Sequence, residues 1–148
     1  MSEPYVLTSQ SLQLDEPAVL NDNTKGLAVY HVVRPLGIKS VTSGLYADNW
    51  SGPVMTYTRY RCHTGETLYA TVGGDSNLIR SNSTVRVGSA SFVVLRGIQR
   101  TLTIPLRATG SRCVVRFRVS PLAVPAAVQP GSTDTRVLGL RFLSFRVG

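Results

Sequence analysis

Apolar and polar residues alternate along this chain with a period of two. No window of about eleven residues holds a helical i, i+3, i+4, i+7 pattern without a Gly or Pro inside it. The clearest alternation is at 113–119 (CVVRFRV): Cys113, Val115, Phe117 and Val119 share an apolar parity while Arg116 and Arg118 point to solvent. Residues 101–106 (TLTIPL) send Leu102, Ile104 and Leu106 inward and Thr101 and Thr103 outward. Pro105 falls on the outer parity, which suits an edge strand because proline donates no ladder hydrogen bond. Leu68, Ala70 and Val72 group together in 67–72, and the runs at 84–88 and 91–95 flank a turn at Gly88. Residues 27–33 form a β-branched, aromatic run containing His31, and 137–147 closes the chain with Leu138, Leu140 and Phe142 on one parity. Over 54–62 (VMTYTRYRC), Val54, Thr56, Thr58, Tyr60 and Cys62 are assigned to one face, taken as inward. Met55, Tyr57, Arg59 and Arg61 go to the other.

Segments rich in Gly, Asn, Asp and Ser separate these runs at 20–26, 43–53, 73–77, 81–83, 107–112 and 130–134. The Ala-rich stretch 121–130 carries Pro121, Pro125 and Pro130 and reads as an extended connection. About eight strands and no helix predict an all-β fold, an antiparallel two-sheet β-sandwich of jelly-roll type. Residues 27–148 make up the sandwich module, and 1–26 alternate only weakly, as an N-terminal arm or edge strand.

Length and composition agree with one globular domain: 148 residues, 43% hydrophobic and 16% charged. No apolar run approaches the ~18 residues of a membrane span, so the chain reads as soluble. Charge changes the picture more. Sixteen basic residues face eight acidic ones, a net charge of +8, and fourteen of the sixteen are Arg. Such an excess points to an anionic partner: nucleic acid, anionic lipid or acidic glycan. Nucleic acid is disfavoured, because no aromatic-plus-basic stacking motif accompanies the arginines and Lys is scarce. Arg59 and Arg61 project from one strand and Arg116 and Arg118 from another. If those strands share a sheet, four guanidiniums line one surface, either as a solvated basic face or against an anionic ligand or partner.

Cys62 and Cys113 both take inward parities at opposite ends of their strands. They can meet if the strands are antiparallel neighbours or face each other across the core, which favours a disulfide over two buried thiols. A disulfide implies an oxidising compartment. With no signal peptide at the N-terminus, the chain is then expected to be a piece of a longer exported or membrane-anchored protein.

Catalytic signatures are weak. Two His and eight carboxylates leave no zinc spacing, nucleophile elbow or phosphate loop, and no cofactor or metal is indicated. The chain is read as non-catalytic. The loop 43–53 places Tyr46 and the only Trp, Trp50, among Asp48 and Asn49, with Tyr57, Arg59 and Arg61 close behind. Aromatic faces stack on sugar rings while Asp, Asn and Arg bond their hydroxyls, so these seven residues form the candidate ligand-binding set. The competing reading is that Tyr46 and Trp50 plug one end of the sandwich. Asp134 and Arg136, just before the final strand, are read as a structural ion pair.

The pieces Ser43-Gly-Leu-Tyr-Ala-Asp-Asn-Trp-Ser-Gly-Pro53, Tyr57-Thr-Arg-Tyr-Arg-Cys62, Cys113-Val-Val-Arg-Phe-Arg-Val-Ser-Pro-Leu-Ala-Val-Pro125 and Asp134-Thr-Arg-Val-Leu-Gly-Leu-Arg-Phe142 stand in that order. Together they resemble the C-terminal β-sandwich module of actinobacterial cell-envelope membrane glycosyltransferases, over roughly residues 27–147. The resemblance implies an extracytoplasmic, carbohydrate-binding or accessory module that presents a cell-wall polysaccharide or lipid-linked glycan, or docks onto the catalytic domain of its parent protein. The alternative is a protein-interaction module whose basic face contacts another domain or subunit.

Overall fold

The computed structural model describes residues 38–148 in full and, of residues 1–37, the backbone of four strands. These are β1 (Tyr5–Ser9), β2 (Leu12–Leu14), β3 (Ala18–Thr24) and β4 (Leu27–Val32). Strands β1, β4 and β3 pair antiparallel in a sheet of their own, while β2 pairs with β5 (Ile38–Leu45). The orientation of His31 and the division drawn at residue 26 lie outside the described residues.

The chain continues through β6 (Ser51–Tyr60), β7 (Thr67–Gly73), β8 (Ser83–Val87), β9 (Ala90–Val94), β10 (Arg100–Pro105), β11 (Ala108–Thr109), β12 (Arg112–Ser120), one turn of helix α1 (Pro125–Val128) and β13 (Arg141–Val147). The larger sheet has the order β2-β5-β6-β12-β8-β9, with β11 paired to the start of β12. The smaller is β10-β7-β13. Every pairing is antiparallel. The protein is an all-β, two-sheet sandwich, as the alternation predicts. Leu68, Ala70, Val72 and Leu102 of the smaller sheet pack on Met55, Val85 and Phe117 of the larger, all with no exposed surface. Phe117 meets Phe142 of β13 edge to face at 5.2 Å. Burying side chains of this size contributes roughly 1.5–3 kcal/mol each, which makes this core the main source of stability. Pro105 lies on the outer parity of β10, an edge strand.

Four expectations are corrected. In β6 the phase is reversed: Met55 and Tyr57 are buried, and Tyr60 is exposed. Both parities of this strand carry apolar residues, so alternation alone cannot choose between them. Pairing chooses: Met55 lies opposite Phe117 and Tyr57 opposite Val115, and directly paired residues share a face of the sheet. Cys62 still turns inward because β6 ends at Tyr60 and Arg61 takes a left-handed backbone (φ 52°), which resets the phase. Strand β5, within a Ser/Thr/Gly-rich stretch, was missed by propensity and is held by its register with β6. The segment 121–130 is not wholly extended. Pro125 opens α1, where its missing N–H costs nothing, and Gln129 N–H donates to the Pro125 carbonyl at 2.8 Å. Finally, β13 begins only at Arg141. Residues 138–140 instead tie neighbouring segments together: Leu138 exchanges backbone bonds with Ala123, and Gly139 N–H donates to Ser51 at 2.9 Å. Gly139 approaches so closely that a Cβ there would meet Val119 Cγ1 at 2.8 Å.

Candidate functional site

Residues 46–50 turn the chain from β5 into β6, so the loop expected at 43–53 is shorter and its two ends lie in the strands of this hairpin. Asn49 N–H donates to the Tyr46 carbonyl at 2.9 Å, and Asn49 then adopts a left-handed conformation (φ 68°) that Asn tolerates better than most residues. That turn aims Trp50 into the molecule, where it is 7% exposed and packs with Leu78, Ile79 and Leu138. Arg141, its bridge partner, lies over the indole at 5.4 Å, and the Asn49 carbonyl accepts from Phe142 N–H at 3.0 Å. Trp50 therefore plugs one end of the sandwich rather than offering a stacking face.

Tyr46, 40% exposed, has Arg136 over its ring at 4.8 Å. Arg136 also holds two carboxylates. Its Nε and Nη2 donate to Asp134 at 2.8–3.1 Å, and its Nη1 and Nη2 donate to Asp48 at 3.0 and 2.9 Å. Asp134 is thus the expected partner of Arg136, and Asp48, 88 residues away in sequence, completes a clamp that joins the hairpin to the segment before β13. The Arg136 hydrogen bonds hold both carboxyls below the usual carboxylate range, and the two anions push the guanidinium up in turn. Asp48 is committed to this clamp.

Tyr57 does not reach any ligand surface: it is 1% exposed and stacks on Phe145 at 5.0 Å. Arg59 follows the same inward parity and lies 3.5 Å from Glu66, with Arg59 Nε and Glu66 Oε2 both buried. Arg61 is exposed just past the end of β6. The seven sequence-predicted residues consequently do not converge: Asp48 and Tyr46 belong to the Arg136 clamp, Trp50 and Tyr57 to the interior, and Arg59 to the opposite end. There Cys62 and Cys113 form a disulfide with Cα atoms 5.7 Å apart. Among the described residues no group of His, Cys, Asp and Glu could hold a metal ion.

A different surface does concentrate chemistry. On the outer face of the larger sheet, β12 presents Arg112, Val114, Arg116, Arg118 and Ser120, all exposed. Arg118 is directly opposite Arg86 of β8, and Arg112 is opposite the exposed Tyr60 of β6. Thr56 and Thr58 of β6 lie opposite Arg116 and Val114, between these pairs, and Thr84 of β8 lies opposite Ser120. The four described carboxylates, Asp48, Glu66, Asp75 and Asp134, all sit in connecting segments, and none lies on this face. Most other arginines are engaged: Arg80 and Arg96 donate to the Val128 and Ser76 carbonyls, Arg100 to that of Val93, and Arg146 covers Tyr69 at 4.3 Å. Among the described residues, Arg86, Arg112, Arg116 and Arg118 enter no ion pair. Strand parity marked Arg116 and Arg118 from the sequence. Tyr60 and Arg86 were missed, because their placement depends on the β6–β12–β8 register.

No protein-family model, curated protein or solved structure matches this chain.

Proposed function

We propose that this chain is a non-catalytic glycan-binding or accessory module of a cell-envelope glycosyltransferase, and that it meets its glycan through the outer face of the larger sheet rather than through the 43–53 loop. The observation that carries this reading is the row Arg112, Arg116, Arg118 and Arg86, with Tyr60 and threonine hydroxyls alongside, on a face where none of the described carboxylates lies. An aromatic ring beside forked donors is the chemistry sugar recognition uses. The disulfide is compatible with an oxidising, extracytoplasmic setting. A binding role also suits the carboxylates. Asp48 and Asp134 are both engaged by hydrogen bonds from Arg136, which ties them to the clamp rather than leaving them open to a substrate.

The test is affinity electrophoresis of the full chain through gels containing envelope polysaccharides, with Tyr46→Ala and the double variant Arg116→Gln/Arg118→Gln alongside. Retardation of the wild type and of Tyr46→Ala, lost in the double variant, is expected. No retardation by any polysaccharide, or loss with Tyr46→Ala alone, overturns the assignment.

A further inference from the structure

We infer that the ligand of this face is a linear acidic polysaccharide, a chain of uronic-acid type with carboxylates repeating every one or two sugars, which lies along β12 with one ring against Tyr60. This rests on the glycan reading above and narrows it.

Geometry selects an extended ligand. The outer residues of β12 from Arg112 to Ser120 form a row about 27 Å long, at roughly 6.8 Å per outward position. Its order is Arg112, Val114, Arg116, Arg118, Ser120. Among the described residues nothing closes over this row, and each of its five positions is exposed. A polymer can contact the whole row, whereas a small sugar reaches only one or two positions.

Charge selects an anion. Arg118 and Arg86 face each other across the ladder, and Arg116 is the next outward residue along the strand. Like charges so placed destabilise the empty fold, and a ligand carboxylate bridging them removes that repulsion. The planar guanidinium fork bonds a carboxylate through two parallel hydrogen bonds.

The neutral groups select a sugar backbone. Tyr60 opposite Arg112 and the exposed Val114 between the arginines offer apolar contact to ring C–H faces. Thr56, Thr58 and Ser120 offer both donors and acceptors to hydroxyls. A flexible polyol phosphate has no ring face for Tyr60 and would leave that contact unused.

The experiment uses the full chain and two forms of one polymer: polygalacturonate, and the same polymer with its carboxyls reduced to neutral alcohols. Calorimetry or affinity electrophoresis should show binding to polygalacturonate that falls about tenfold or more as ionic strength rises from about 0.05 to about 0.5 M. The reduced polymer should bind at least about tenfold more weakly. Arg116→Gln should weaken binding several-fold, and Tyr60→Ala should weaken it without changing the salt slope. Arg146→Gln removes the same charge from an exposed position on β13 of the smaller sheet, and should leave binding unchanged. Equal binding of both polymers with no salt dependence overturns the acidic-ligand inference and leaves the glycan reading standing. Equal losses from Arg146→Gln and Arg116→Gln reduce the effect to net charge and overturn it too. Failure to bind either polymer, together with failure on every neutral envelope polysaccharide, overturns both.

Discussion

Arg118 of β12 stands directly opposite Arg86 of β8 on an exposed sheet face, and among the described residues neither enters an ion pair. Cross-strand like charges oppose folding, so this pair is kept at a cost to stability. Arg118→Glu replaces repulsion with an opposite-charge pair and is expected to raise stability by a few tenths to about 1 kcal/mol, read as a Tm higher by roughly 1–5 °C at low salt. The gain should shrink at high salt. The same substitution should abolish retention on an acidic polysaccharide. A variant that is more stable yet binds nothing separates a functional charge from a structural one. Lower stability would mean that Arg118 supports the fold.

The acid limb of the stability profile should run through Arg136. Asp48 and Asp134 have folded-state pKa values below their ordinary value of 3.8, the chief cause being their hydrogen bonds to Arg136. A carboxyl depressed by folding contributes stability that is complete above its unfolded pKa and is lost as pH falls through the lower folded value. Denaturant midpoints should therefore be flat from neutral pH to about pH 5 and then decline. Arg136→Gln should lower the plateau and flatten that decline, because the two carboxyls then titrate near their unfolded values. A decline as steep in the variant as in the wild type would locate the acid sensitivity elsewhere.

Legibility in the sequence followed how far each feature depends on a single strand. The β12 phase was readable from Cys113 to Val119 because one parity is apolar and the other carries two arginines. From it came the sandwich, the inward Cys113 and the exposure of Arg116 and Arg118. In β6 the same method failed, since Met55 and Tyr57 compete with Val54 and Tyr60 for the interior and only the register with β12 decides. That one error moved Tyr57 and Arg59 onto the wrong face and hid Tyr60. The Asp48–Arg136 contact spans 88 residues, and no local pattern announces it. Asp134, two residues from Arg136, was visible for the opposite reason.

The disulfide carries a large share of stability in so small a domain. Cys62 and Cys113 close a loop with a sequence separation of 51. On the loop-entropy argument the crosslink contributes about 4 kcal/mol. The double variant Cys62→Ala/Cys113→Ala, or reduction of the wild type, should lower the urea midpoint by a matching amount. The pair is buried beside the core, so full reduction should require partial unfolding and proceed faster as denaturant rises. Rapid reduction in native buffer with an unchanged midpoint would show that the bridge is dispensable.

Trp50 gives the sharpest contrast between the loop and the sheet face as binding sites. As the only indole in the chain, it is a clean optical reporter. Buried among Leu78, Ile79 and Leu138 and covered by Arg141, it should emit at short wavelength and resist quenching by iodide. Saturating polysaccharide should leave that emission unchanged, because the indole faces the interior and not the β12 row. Trp50→Ala empties a large buried volume and should cost about 3–5 kcal/mol, whereas Trp50→Phe, which keeps part of the packing, should cost less and retain full binding. A quenchable indole whose emission shifts on ligand addition would return the binding site to the 43–53 hairpin. Binding that survives in Trp50→Phe and disappears in Arg116→Gln/Arg118→Gln fixes it on the sheet.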